Sequence, residues 1–197
     1  SEGCPVAKLA TLVDGFTASA INTSVWNATS GGQFALDAVN DLVTLNVGTV
    51  SGTFYSFGSA LGYDATGSSL YAQITVAANG NGHVQTNLKL DAGGNNALIA
   101  SVSSGGSFQL QVFTAGSPVS TALPIYDPHA HRWWRFREVG GSFAFDVAPD
   151  GLNWTTLATM AYSWSATSVA VYLQTGATAT EAAGNVAAIQ NVNTRLG

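Results

Sequence analysis

The sequence predicts an all-β protein, a jelly-roll β-sandwich of two antiparallel sheets, on three observations. Apolar and polar residues alternate with period two in one short run after another. Gly- and Asn-rich turns separate those runs at intervals of mostly 10 to 15 residues. No stretch outside the termini combines a 3.6-residue pattern with capping signals. The 197 residues make one domain, and the candidate strands sum to roughly 12 to 14, a number that two packed sheets absorb.

Taken in order, residues 1–11 read as an N-terminal leader or attachment arm, and residues 12–197 as the sandwich. Leu12-Val13-Asp14-Gly15-Phe16 reads as a first strand, followed by a polar loop that lays Trp26 over the core. Phe34, Leu36 and Ala38 share one parity, as do Val43, Leu45 and Val47 beyond the Asn40-Asp41 turn. Leu70 to Val76 alternates against Tyr71, Gln73 and Thr75. Val84 to Leu90 leaves Gln85, Asn87 and Lys89 on the opposite face, and Phe108 to Val112 faces away from Gln109 and Gln111. The turns at 79–82, 93–96, 104–106 and 140–141 supply residues that tolerate positive φ. Residues 177–188 are Ala-rich but read as a loop leading to a last strand at Val186–Val192, where β-branched residues and Asn dominate.

Composition narrows the functional classes. Charged residues make up 9% of the chain, against a usual value near 25%, so Ser, Thr, Asn, Gln and Gly cover the surface. The formal charge is -5, and the one basic cluster is Arg132, Arg135 and Arg137, too small to neutralise a run of phosphates; no nucleic-acid partner is expected. No apolar run approaches the roughly 20 residues of a spanning helix, so membrane insertion is not expected either. Cys4 is the single cysteine, which leaves no intrachain disulfide and no two-thiol metal or redox motif.

Residues 131–157 carry the most distinctive pattern. Two strands flank Gly140-Gly141, and a second turn at Pro149-Asp150-Gly151 leads to Trp154. Trp134 and Phe136 share one face with Phe143, Phe145 and Val147 across the hairpin; Trp133, Arg135 and Arg137 share the other, opposite Asp146. The run His131, Trp133 or Trp134, Arg135, Arg137, then Phe143, Phe145, Asp150, Gly151 and Trp154, resembles the concanavalin A-like lectin/glucanase superfamily. More narrowly, it resembles the laminin-G-like or DUF1349-like domains of secreted sugar-associated proteins and tailed-phage virion proteins. The opening Leu12–Phe16 through Trp26 and the closing Val186–Val192 resemble that family's first and last strands, with Gln190 where an acid is usual. The resemblance implies a concanavalin A-like sandwich over about residues 12–195. It also implies structural roles for Trp26, Trp134, Phe136, Arg137, Phe143, Phe145, Asp150, Gly151 and Trp154.

The chemistry-bearing residues are sparse. Glu2, Glu138 and Glu181 are the only glutamates, and none has an acid two residues away, the strand spacing that would set two carboxyl groups about 5 Å apart. Glu138 is read as an arginine partner, with a catalytic pairing to Asp146 as the lesser alternative. Asp127, His129 and His131 alternate as a strand-borne metal edge would, but beside Pro128 they read as surface polar groups. No cofactor is expected; calcium at a rim is left open, at Asn40-Asp41, Asp64, Asp91 with Asn95 and Asn96, or Asp150 with Asn153. Tyr162 and Trp164, with Trp133 and Arg135, are the candidate glycan-binding residues, and Tyr55, Tyr63, Tyr71 and Tyr172 are further aromatics of that kind.

These readings lead to a non-enzymatic structural or adhesion protein of a virion (tail, fibre or capsid decoration), located on the virion or extracellularly. It is expected to form a homo-oligomer, to pack against copies of itself or other virion proteins, and to contact host glycans. The alternative is a secreted carbohydrate-binding module of a glycan-degrading system.

Overall fold

The computed structural model describes residues 5–27, 33–79 and 82–194; Cys4, residues 1–4 of the leader, and Gly80 and Asn81 of the 79–82 turn lie outside them. The described chain forms two seven-stranded antiparallel sheets and one short 3-10 turn, Leu9–Thr11. In chain order the strands are β1 (Trp26–Asn27), β2 (Phe34–Asp37), β3 (Leu42–Asn46), β4 (Thr53–Ser59), β5 (Ser69–Val76), β6 (Val84–Gly93) and β7 (Asn96–Ser103). They continue as β8 (Phe108–Thr114), β9 (Ser117–Ala122), β10 (Trp133–Val139), β11 (Ser142–Ala148), β12 (Thr155–Ala161), β13 (Ala170–Ala177) and β14 (Val186–Gln190). The first sheet runs β1-β4-β13-β6-β7-β8-β9, and the second β12-β11-β10-β5-β14-β3-β2. The expected two-sheet sandwich is the observed fold.

Period two does the sorting. Along the first sheet the inward positions align across strands as Phe57, Leu173, Leu88, Ala100 and Leu110, all fully buried. Opposite them, Trp134 and Phe136 align with Ala72 and Leu70 on one side and with Val147 and Phe145 on the other. Two aromatic knots fill the interior. Phe57 packs on Trp26 at 4.7 Å and Phe34 at 5.3 Å between ring centroids, while Phe108 packs on Trp134 at 5.0 Å and Phe145 at 5.5 Å. Each buried ring of this size adds on the order of 2 kcal/mol of burial free energy.

Where local signals and tertiary structure differ, the cause is visible. The strand expected over Leu12–Phe16 reduces to one bridge, Asp14 with Val192. Phe16 has φ 55°, and the Asp14 carboxylate accepts from the Phe16 N–H and from the Trp26 indole at 2.8 Å, so the segment turns inward and no ladder forms. Strands β4, β7 and β9 lack clean apolar alternation, because small and hydroxyl residues occupy many of their positions. Lys8 and Leu9, within residues 1–11, lie against the sandwich: Leu9 is fully buried, and Lys8 Nζ is 2.6 Å from the Asp64 carboxylate.

Asn193 ties the two ends of the domain together. Its Oδ1 accepts from the Tyr71 N–H of β5, and its Nδ2 donates to the carbonyls of Leu9 and Leu12. Its φ of 50° is a left-handed value that Asn tolerates better than most residues. Asn193→Ala is expected to lower the unfolding free energy by about 3 kcal/mol, roughly 1 for each lost hydrogen bond, in a denaturant titration. Asn193→Gly, which relieves the backbone but restores no bond, should recover only a fraction of that loss.

Candidate functional site

The outer face of the first sheet is assembled by register. One row reads Ser56, Gln174, Asn87, Ser101 and Gln109 across β4, β13, β6, β7 and β8; the next reads Gly58, Tyr172, Lys89, Ile99 and Gln111. Each sits one residue along from an inward core position, so packing on the inside fixes these side chains on the outside. The face is thus rich in carboxamides, which both donate and accept hydrogen bonds.

Two glycines let aromatic rings lie against this face. Gly58 pairs with Tyr172, and a Cβ there would stand 2.5 Å from Tyr172 Cε1. Gly176 pairs with Phe54, where a Cβ would stand 2.3 Å from Phe54 Cδ1. Each ring therefore covers the glycine beside it; Phe54 is exposed and Tyr172 half-buried, with the Lys89 ammonium over its ring. Phe113, on β8, adds a third ring about 16 Å from Tyr172, three strand spacings across the sheet and two residues along it.

At one end of the face lies a recess of about 470 Å³ lined by Lys89, Asp91, the β6–β7 hairpin, Ile99 and Phe113. A bulge between Asp91 and Gly93 shapes its wall. The Asn96 side chain accepts from the Ala115 N–H, and the Asn95 carbonyl accepts from the Gly116 N–H, clamping two hairpin tips together. Asp91 pairs with Lys89 at 2.6 Å and accepts from the Gly93 N–H. Burial pushes its carboxyl up, but the Lys89 ammonium and that N–H win, and it sits below the ordinary carboxylate value. Lys89 also lies 5.4 Å from the Tyr172 ring centroid. Among the described residues of these strands, Asp91 is the one carboxylate on this face.

Of the residues singled out in the sequence, Tyr172, Asp91, Asn95 and Asn96 lie on this face or its recess, and the four main glycan-binding candidates lie elsewhere. Trp133 and Arg135 are on the outer face of the second sheet, where the turn at Gly151 covers the buried Trp133. Arg135 stacks over Trp154 at 4.2 Å and binds Asp146, which also holds Arg137 and Thr156. Trp154 is half-buried on this face and does not join Trp26 and Trp134 in the core. Tyr162 and Trp164 follow β12 and stack on Phe143 of the core at 4.8 and 5.9 Å.

Glu138 is no arginine partner and does not face Asp146. It shares parity with Trp134 and Phe136, away from the arginines, and accepts from the N–H groups of Gly67 and Gly141 and from the Tyr162 hydroxyl. That bond, after burial, pushes the Tyr162 phenol up to about 12. Nor do Asp127, His129 and His131 form a strand edge. Asp127 caps a turn by accepting from the N–H groups of His129 and Ala130, and His131 Nδ1 accepts from the Asp127 N–H. Of the rim-calcium candidates, Asp64 is engaged by Lys8 and Thr66, and Asp150 by its own turn. Among the described residues, no group of three or more His, Cys, Asp and Glu side chains is arranged to hold a metal ion.

No family model matches the chain, and no curated protein matches it. Solved structures do. The Crh5 transglycosylase superposes with a TM-score of 0.70 at 15% identity, over 98% of this chain and 87% of its own. A Bacillus licheniformis β-glucanase gives 0.69 at 12% identity, over 93% and 97%. A prokaryotic β-1,3-1,4-glucanase (lichenase) from a mouse hindgut metagenome gives 0.66 at 10%, over 93% and 98%. What they share with this chain is the fold, a two-sheet antiparallel β-sandwich of concanavalin A-like architecture. These matches overturn the expectation of a phage structural module and of a non-enzymatic virion protein, because the matching structures bear the names of glycan-processing enzymes.

Asp146 provides a test of the second sheet. It is fully buried, and despite burial its bonds to Arg137, Thr156 and Arg135 hold its carboxyl below the ordinary value. A depressed carboxyl contributes stability above about pH 4 and loses it as pH falls through the folded value. Asp146→Asn is therefore expected to cost about 2 kcal/mol at neutral pH and to flatten the acid limb of stability measured by denaturant titration against pH.

Proposed function

We propose that the chain is an extracellular glycan-recognising protein that lays a polysaccharide across the outer face of the first sheet. The observation that carries this reading is the register itself. Phe54, Tyr172 and Phe113 offer rings to the C–H faces of sugar units, and Gln85, Gln174, Gln109 and Gln111 surround them with groups suited to hydroxyls. The face presents no aligned basic residues, which suits a neutral polymer. The names of the matching structures suggest β-1,3-1,4-glucan as the first ligand to try, and a second Crh5 transglycosylase structure, solved in complex with NAG, adds N-acetylglucosamine.

A second reading has the bound chain cleaved or transferred at the recess, with Asp91 as the reacting carboxylate; the enzyme names of the matching structures favour it. A retaining reaction uses two carboxyl groups about 5 Å apart, and this face presents Asp91 alone among its described strand residues. Binding is accordingly the reading carried furthest.

Affinity electrophoresis in gels containing β-1,3-1,4-glucan or soluble chitin oligomers tests both. The wild-type chain is expected to be retarded by at least one of them, and Tyr172→Ala to weaken retention by about tenfold, the loss of one stacked ring. Arg135→Ala, on the opposite sheet, should leave retention unchanged. No retardation, or equal retardation of Tyr172→Ala, would sink the binding reading. Product formation from the retained glucan that disappears in Asp91→Asn would establish the second reading.

A further inference from the structure

Among the described residues the two sheets end on four strand edges, and three of them are guarded. β1 is two residues long, β2 carries Asp37, and a bulge interrupts the ladder of β12 opposite Phe145 and Asp146. Short length, charge and bulges are ordinary means of keeping an edge from pairing with another chain. β9 has six residues, no charge and no bulge, and all six are exposed. Its one guard is Pro118.

The flank around β9 is neutral as well. Residues 92–126, which include all of β7, β8 and β9, contain no Asp, Glu, Lys, Arg or His, and neither do residues 151–180, which include β12. The net charge of -5 is carried by the rest of the chain. Two copies can therefore meet at this flank without setting like charges side by side.

Register supplies the geometry. The odd-numbered residues of β9 bond to β8, as the Leu123 N–H does to the Phe108 carbonyl just beyond, so Pro118, Ser120 and Ala122 turn their backbone groups to the free edge. Two such strands can pair antiparallel about a two-fold axis at Ser120. Ser120 then exchanges two bonds with Ser120 of the second copy, and each Ala122 N–H donates to the Pro118 carbonyl opposite. This register keeps every pair within β9 and misses only the N–H that Pro118 lacks. On the inner side, Val119 lies beside the buried Val112 yet is 65% exposed, because the second sheet ends at β12, which lies against β8. A recess of about 490 Å³ opens there, between Val119 and Thr121 of β9 and Met160 and Tyr162 at the end of β12.

We propose that β9 is the interface of a symmetric dimer, in which two copies of this chain join edge to edge and their first sheets run on as one. Gln111 donates to Ser120 Oγ at 3.0 Å, so the amide row of the outer face reaches the axis and continues into the second copy. The pairing does not depend on that face binding a polysaccharide.

Sedimentation equilibrium of the intact chain over a dilution series tests it. The expected result is a monomer–dimer equilibrium, the dimer having twice the 20.2 kDa of one chain. Ser120→Lys sets two ammonium groups opposite each other on the axis, and Ser120→Pro removes the N–H exchanged there while sparing the bonds to β8. Each should weaken dimerisation by about tenfold or more, with the circular dichroism spectrum unchanged. Val39→Lys, on the exposed β2–β3 turn, adds the same charge and should leave the equilibrium as it is. In a mixture of differently labelled copies, an isotope-filtered NOE should join Val119 of one to Thr121 of the other. A monomer at every concentration overturns the proposal. So does a dimer that lacks this NOE or that both Ser120 variants leave intact, and so does an assembly that grows past two copies.

Discussion

The structure depends on one constraint: each sheet must bury one face against the other, and a strand's side chains alternate strictly between faces. Phe57, Leu173, Leu88, Ala100 and Leu110 satisfy it for the first sheet. Their burial fixes the register of five strands, and with it the row of amides and hydroxyls one residue along on the outside. The binding face is thus held in place by the core beneath it, and sheet positions hold side chains more firmly than loop positions do.

The second sheet meets the same constraint with charge on its outside. Arg135, Arg137 and Thr156 converge on the buried Asp146, and Trp154 shields Arg135. A carboxylate this deeply placed is tolerable because every partner aims at it. The exposed strand edges are handled separately. Ser117–Ala122 lies at the rim of the first sheet with no charged residue, but Pro118 stands in the position where its missing N–H falls on the free edge, which removes a donor that another strand would use.

Glycine plays its part in the site through space and not through flexibility. At Gly58 and Gly176 no side chain would fit under the rings of Tyr172 and Phe54. Neither glycine has a positive φ; each is required by the close approach of a neighbouring ring. Such a requirement leaves no local mark in a sequence, since the ring comes from a strand more than a hundred residues away.

The sequence by itself determined the architecture. Period-two runs and Gly-Asn turns encode strands and hairpins locally, and the hairpin of Trp134, Phe136, Phe143 and Phe145 was legible as core because its parity is unambiguous. The same parity placed Gln85, Asn87, Gln109 and Gln111 on outward faces. It could not show that these amides lie beside Tyr172 and Phe54, because strand order within a sheet depends on long-range pairing. Charge suggested a pair between Glu138 and the arginines, and the structure overturns it by holding Glu138 on the opposite face, against Gly67, Gly141 and Tyr162. Tyr162 and Trp164 drew attention as a loop-borne aromatic pair, yet stacking on Phe143 half-buries both. Only the tertiary structure decided which aromatic rings face solvent, which carboxylate each arginine meets, and which strands end as free edges. Each of those depends on pairing or burial between residues far apart in the chain, and alternation within a strand carries no information about it.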